Sequence, residues 1–134
     1  MTLGYIGKWG EREACRYLKK QGYYIEKVNV RNKVSELDIV GFKKGELIFV
    51  EVKTRHIKNA MLYPIFETIN DNKISHIERG IRIYISENYA ILKRRRIKTI
   101  RSDFIFIHYK NSFLGFPKKV EIIWKKSDME NEFS

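Results

Sequence analysis

The chain has 134 residues, 43% of them hydrophobic, with 27 Lys plus Arg against 16 Asp plus Glu and a net charge of +11. That length suits one domain, and that hydrophobic fraction suits an ordinary globular core. One cysteine, Cys15, excludes an intrachain disulfide; no run approaches the ~20 apolar residues of a membrane span, and the N-terminus carries no signal-peptide core, so a reducing cytoplasm is expected.

In chain order, Tyr5 to Lys20 reads as a helix. Gly7, Glu11, Ala14 and Leu18 form one narrow stripe at 100° per residue, with Cys15 beside it as a small packed thiol. Gly4 and Gly7 on that side would allow another backbone to approach closely. Gly22 is a stop signal, and Tyr23 to Asn29 reads as a first strand. Two apolar runs, Leu37–Phe42 and Leu47–Thr54, flank Lys43-Lys44-Gly45-Glu46 as a hairpin. Arg55 to Asn70, with Pro64, reads as a loop holding a short helical piece. Asn70 or Asp71 can cap a second helix with a stripe of Ile74, Ile77, Ile81 and Ile85, weakened by Gly80. Asp103 to His108 is a buried strand reached by a crossover, and Val120 to Trp124 is a last edge strand. The expected order is αβββαβ plus a C-terminal strand, an α/β fold with a mixed sheet flanked by helices. Residues 1–127 form the single domain, and the acidic residues 128–134 a mobile tail.

The hairpin carries the chemistry. With Lys44-Gly45 as the turn, Val40 opposes Phe49, Asp38 opposes Glu51, and Glu36 opposes Lys53. Three carboxylates and an ammonium then meet inside apolar strands, where unpaired charge is costly. A divalent cation relieves the repulsion, and Mg²⁺, with its preference for oxygen ligands and retained waters, suits the donors. Such an ion acidifies water for attack on a phosphodiester, and Lys53 would orient that water or stabilise charge growing on phosphate. The plain alternative is a surface strand with a cross-strand acid–lysine pair, but flanks apolar on both faces point to a sheet covered on both sides. Glu11, on the packing stripe, either reaches the cluster as a further metal or water ligand or stays at the helix rim.

These motifs resemble the YraN-like family of endonuclease-related bacterial proteins, within the PD-(D/E)xK nuclease superfamily near the Holliday junction resolvases. The resemblance runs from about residue 4 to 108 through Gly7-Lys8-Trp9-Gly10-Glu11-Arg12-Glu13-Ala14, Tyr17-Leu18, Gly22-Tyr23 and Asn29-Val30-Arg31. It continues through Glu36-Leu37-Asp38-Ile39-Val40, Phe49-Val50-Glu51-Val52-Lys53-Thr54-Arg55, Lys73 and Arg101-Ser102-Asp103-Phe104. It implies a restriction-endonuclease-like core, with Asp38 and Glu51 as metal ligands, Lys53 as the catalytic lysine and Glu11 as the helix acid. Glu36 would be a supporting residue. The implied cofactor is Mg²⁺, with Mn²⁺ as a substitute. The chain departs from the family at Leu37, where the superfamily name has Pro, and at Ser35, where Gly is usual. It also lacks the usual glycine in the stretch from Asn59 to Pro64, and follows the family poorly from Lys118 to Ser134.

A net charge of +11 suits a polyanion, although abundant Lys, Ile and Asn also fit a proteome bias. Candidate phosphate contacts are Arg31, Lys33, Arg55 and Lys58 around the site, Lys73 near the second helix start, and the run Lys93-Arg94-Arg95-Arg96, which otherwise is a solvated loop. His56, His76 and His108 lack metal-ligand spacing and read as solvated or core residues. Three functions follow: a Mg²⁺-dependent DNA endonuclease of repair or recombination, acting on branched or damaged DNA; a non-catalytic nucleic-acid-binding protein on a nuclease scaffold; and a basic RNA-associated protein. Symmetric cutting of a four-way junction needs two active sites, which a homodimer would supply.

Overall fold

The computed structural model describes residues 3–62, 71–127 and 131–133. Helix α1 spans Leu3–Lys20 and ends as its glycine requires. Gly22 has φ +92°, its N–H donates to the Lys19 carbonyl at 3.0 Å, and the Tyr23 N–H donates to the Leu18 carbonyl at 3.0 Å. Those two bonds satisfy carbonyls that the helix end would otherwise leave open. Strand β1 (Tyr24–Arg31) follows, then β2 (Glu36–Lys43) and β3 (Glu46–His56). Lys44 and Gly45 have φ +45° and +82° and Lys43 pairs with Glu46, so the expected two-residue turn forms, in the hairpin type that needs two positive φ values.

Helices α2 (Ile57–Leu62), α3 (Asp71–Glu87) and α4 (Tyr89–Arg94) cross over to β4 (Thr99–Asn111), which runs parallel to β3 from Glu46↔Thr99 to His56↔Tyr109. Strand β5 (Pro117–Lys125) returns antiparallel to β4. The sheet order is β1-β2-β3-β4-β5, a mixed sheet consistent with a restriction-endonuclease-like core. A two-residue strand, β6 (Asn131–Glu132), pairs with the start of β4, and Phe133 packs against the core. The segment expected as a mobile tail thus returns residues 131–133 to the sheet. The expected loop around Pro64 and cap at Asn70 lie outside the described residues.

Alternation along β3 builds two cores. Ile48 and Val50 join Ile39, Ile105 and Ile107 beneath Ala14 and Leu18 of α1. Leu47 and Phe49 join Val40 and Ile100 beneath Ile77, Ile81 and Tyr84 of α3 and Leu92 of α4. A sheet covered on both faces explains strands apolar at nearly every position.

The close approach of α1 is made at Gly10, not at Gly7. A Cβ on Gly10 would sit 1.8 Å from Thr54 Oγ1, whereas one on Gly7 would meet nothing within 4 Å. Gly7 faces the open cleft described below, so it keeps space free and lets no backbone in. On the opposite face, Gly80 of α3 has the same role as Gly10: its Cβ would sit 1.8 Å from Ser35 Oγ, and Asn32 Nδ2 donates to its carbonyl at 3.1 Å. The glycine that weakens α3 is what lets the β1–β2 loop dock there.

Candidate active site

The register of β2 on β3 follows expectation from Lys43↔Glu46 to Ile39↔Val50 and then stops. The cause lies in β2. Residues two apart on a regular strand share a face, yet Leu37 enters the α3 core and Ile39 the α1 core. Opposite this irregularity, Asn29 of β1 has φ +52°, a conformation that asparagine tolerates better than most residues. The chain therefore changes face at Asp38. Its carboxylate turns along β3 and accepts the Val52 N–H at 2.8 Å. The direct Asp38↔Glu51 pairing is replaced by a side-chain approach close enough for the Glu51 charge to raise the Asp38 pKa.

Glu36 does not meet Lys53. It lies on the exposed side of β2, 3.8 Å from Arg31 Nε, and acts on the site only by its charge, which raises the Glu11 pKa. Lys53 Nζ stands 3.5 Å from Glu51 Oε1. Lys73, from the first turn of α3, stands 3.4 Å from the same oxygen. A residue expected at phosphate thus sits on the candidate catalytic carboxylate. Glu11 reaches in from α1 and lines the same cleft of about 440 Å³ as Asp38, Glu51 and Lys53.

The electrostatics follow from burial. Asp38 is pushed up to about 7, first by burial, then by the Glu51 charge, against the pull of the Val52 N–H. Glu11 is also raised, chiefly by burial, while a hydrogen bond from Asn29 lowers it. Lys53 is lowered to about 8, first by burial and then by Lys73, with Glu51 opposing. Acids that resist ionising and a lysine that gives up its proton near neutrality mark a poised site.

Among the described residues, no group of three or more His, Cys, Asp and Glu side chains is set to hold a metal ion. Mg²⁺ binds through one or two carboxylates and keeps several waters. The Asp38–Glu51 pair, with Glu11 in reach by charge, is a donor set of that kind.

Several cleft residues escaped the sequence reading. Tyr109 forms one wall, held edge-on by Trp9 at 5.8 Å and by His56 at 5.2 Å between ring centroids. His56 also lines the cleft, and its Nδ1 accepts the Lys58 N–H at 3.2 Å. Asn29, which hydrogen-bonds Glu11, is marked in the sequence by its strand and by the Asn29-Val30-Arg31 motif, neither of which assigns it a role at the site. Parallel pairing of His56 with Tyr109 is what brings the tyrosine in, and nothing local in the sequence signals it.

The basic residues divide. Arg55 lines the cleft, and Arg31 and Lys33 lie exposed on the loop side of β1. Arg94 ends α4, and Arg95 and Arg96 follow it at the hairpin-turn end of the sheet, where the Lys98 N–H donates to the Gly45 carbonyl at 2.6 Å. Glu51 lies six strand steps from Gly45, about 20 Å. Arg95 is engaged there with Glu26 at 2.9 Å and with the Phe42 ring at 4.5 Å. The structure does not bring that run to the cleft.

The family model described as Uncharacterised protein family UPF0102 matches residues 10–107, which include the α1 acid and the whole β2–β3 hairpin. The chain belongs to this family. The YraN-like resemblance is thereby shown at family level. A UPF0102 protein of Caldicellulosiruptor bescii is 32% identical over 112 residues, 84% of this chain and 91% of that protein. A UPF0102 protein of Syntrophomonas wolfei is 35% identical over 60% of this chain and 68% of its own length. One from Syntrophotalea carbinolica is 45% identical over 61% of this chain and 65% of its own length. The chain therefore spans about two thirds of the latter two UPF0102 proteins. Among the described residues, no helix is long and apolar enough to cross a membrane.

Proposed function

We propose that this UPF0102 protein is a metal-dependent endonuclease of the PD-(D/E)xK type that hydrolyses DNA phosphodiester bonds. The observation that carries the reading is the half-buried meeting of Asp38 and Glu51 on adjacent strands, with Lys53 3.5 Å from Glu51 in an open cleft. Asp38 and Glu51 would hold Mg²⁺, with Mn²⁺ as a substitute, and Glu11 would complete the acid set. When bound, the cation supplies Lewis-acid polarisation of the scissile phosphate and acidifies water.

The chain's own groups supply the rest. Asp38, fixed by the Val52 N–H, lines the cleft. Lys53 with a pKa of about 8 is part neutral at mildly alkaline pH, and its Nζ then takes a proton from an attacking water. Lys73 stands by as a second cation for charge growing on phosphate oxygens. Arg55 on the cleft wall and the excess of basic residues support phosphate binding. A role in repair or recombination, on branched or damaged DNA, is the biological setting this reading favours.

One observation favours a non-catalytic DNA-binding protein: two lysines already neutralise Glu51. Cleavage of linear, flapped and four-way DNA with Mg²⁺ or Mn²⁺, beside Asp38→Asn, separates the two. The wild type should cut and the variant should bind without cutting. Binding by wild type with no cleavage of any substrate refutes the nuclease reading. Preference for RNA over every DNA would point to the RNA-associated alternative.

A further inference from the structure

The β4–β5 hairpin projects past the sheet. Strand β3 ends at His56, opposite Tyr109, while β4 continues through Lys110 and Asn111 into the turn. The tip is well formed. The Gly115 N–H donates to the Ser112 carbonyl at 2.9 Å, the Ser112 N–H donates to the Phe116 carbonyl at 2.7 Å, and Gly115 has φ +85°. This three-residue connection places Phe113 and Leu114 at the turn corners, where chains ordinarily put polar residues. Phe113 is 102% exposed, Leu114 76% and Phe116 60%. Folding gains nothing from apolar side chains there, so their use lies outside the chain.

The neck of the hairpin is basic. Lys110 and Lys118 are directly opposed across the strands, an arrangement that weakens a cross-strand pair. Lys119 follows, 3.8 Å from Glu13. Opposed cations beneath exposed rings match a partner that offers phosphate and flat apolar surface together. The root of the hairpin is Tyr109, a wall of the candidate active site. Phe113 lies four residues further, at most about 14 Å of chain. That span is about four base steps at 3.4 Å each.

We propose that this finger stacks Phe113 and Phe116 on unpaired bases within about four nucleotides of the phosphate held in the cleft, while Lys110 and Lys118 bind the adjoining backbone. The substrate class is then DNA with single-stranded nucleotides beside the cut, in preference to continuous duplex. The inference rests on the nuclease reading and specifies it.

Fluorescence anisotropy in EDTA separates binding from cleavage. The probes are a blunt duplex and the same duplex with a single-stranded overhang. Wild type should bind the overhang DNA at least about five-fold more tightly, the lower end of base–aromatic stacking. Phe113→Leu with Phe116→Leu keeps apolar bulk but removes the rings, and should abolish that preference at an unchanged unfolding midpoint. Phe113→Trp with Phe116→Trp should retain it. Three outcomes overturn the proposal: the Leu pair keeps the preference; the Leu pair weakens binding to anionic vesicles instead; or it converts a dimer to a monomer without touching DNA preference. If wild type cuts DNA with Mg²⁺ yet shows no overhang preference, the finger proposal alone fails. If wild type binds neither DNA, the nuclease reading fails with it.

Discussion

The burial of Asp38 makes the candidate active site a source of instability, and Asp38→Asn measures it. A carboxyl whose folded pKa is about 7, against an ordinary 3.8, holds its proton more tightly in the folded chain than in the unfolded one. The folded state then binds more protons across that window. Stability therefore falls as pH rises from about 4 to about 7, and the loss is complete above it. At about 1.4 kcal/mol per pH unit the gap corresponds to roughly 4 kcal/mol. Solvent at the cleft mouth screens part of it, leaving roughly 2–4 kcal/mol.

Asparagine keeps the local geometry. Its Oδ1 can accept the Val52 N–H as Asp38 does, and its Nδ2 can donate to Glu51, where two carboxylates now repel. The variant should be more stable than metal-free wild type by roughly 2–4 kcal/mol at pH 8 and equal to it at pH 4. For a chain of this length that is about 7–14 °C in the unfolding midpoint. Thermal unfolding in EDTA at the two pH values reads the difference. Added Mg²⁺ should narrow the gap at pH 8 by stabilising wild type alone. A gap of equal size at both pH values, or a variant less stable at pH 8, refutes the assignment of buried, mutually repelling carboxylates.

Two further predictions concern the elements that present the site. Gly10→Ala forces a Cβ onto Thr54 and should cost about 1–3 kcal/mol in denaturant unfolding, whereas Gly7→Ala, facing open space, should be neutral or slightly stabilising. Lys73→Gln removes one of the causes that hold Lys53 low, so Lys53 should titrate at higher pH by NMR of its ε-methylene, and the rising limb of any cleavage rate should move alkaline with it. An unmoved Lys53 titration would show that burial alone sets its pKa.

Much of this arrangement is legible in the sequence. The turn at Lys44-Gly45 and the ladder up to Ile39↔Val50 follow from residue type and counting alone. The count fails at Asp38, because counting assumes a regular pleat. The break that sends Leu37 and Ile39 to opposite cores depends on Asn29 in a neighbouring strand and on α3 above it. Lys73 and Arg94–Arg96 exchange importance for a related reason. A charge run is conspicuous in sequence, but its place is fixed by the six-residue α4, whose Leu92 anchors it over the turn end of the sheet. Lys73 is legible only as a candidate phosphate contact until α3 docks through Ile77 and Gly80, which sets its first turn over Glu51. Tyr109 is silent for the same cause: parallel pairing is non-local, and only the crossover determines which residue of β4 lies beside His56.

The irregularity at Asp38 also explains why the acids need not stand in a ladder to cooperate. Direct cross-strand opposition would hold Asp38 and Glu51 side by side with both carboxylates pointing off one face. Turning Asp38 along β3 instead spends one of its oxygens on the Val52 N–H and leaves the other beside Glu51. The backbone bond fixes the carboxylate without any cation. Glu11 is held independently, by the Gly10–Thr54 contact one residue away and by Asn29. Three acids are thus positioned by three separate backbone devices: a strand break, a regular strand and a glycine-docked helix. A site built this way is formed without any cation, so mutual repulsion is stored in the fold. The two packed cores on either side of β3 are what allow the chain to hold it.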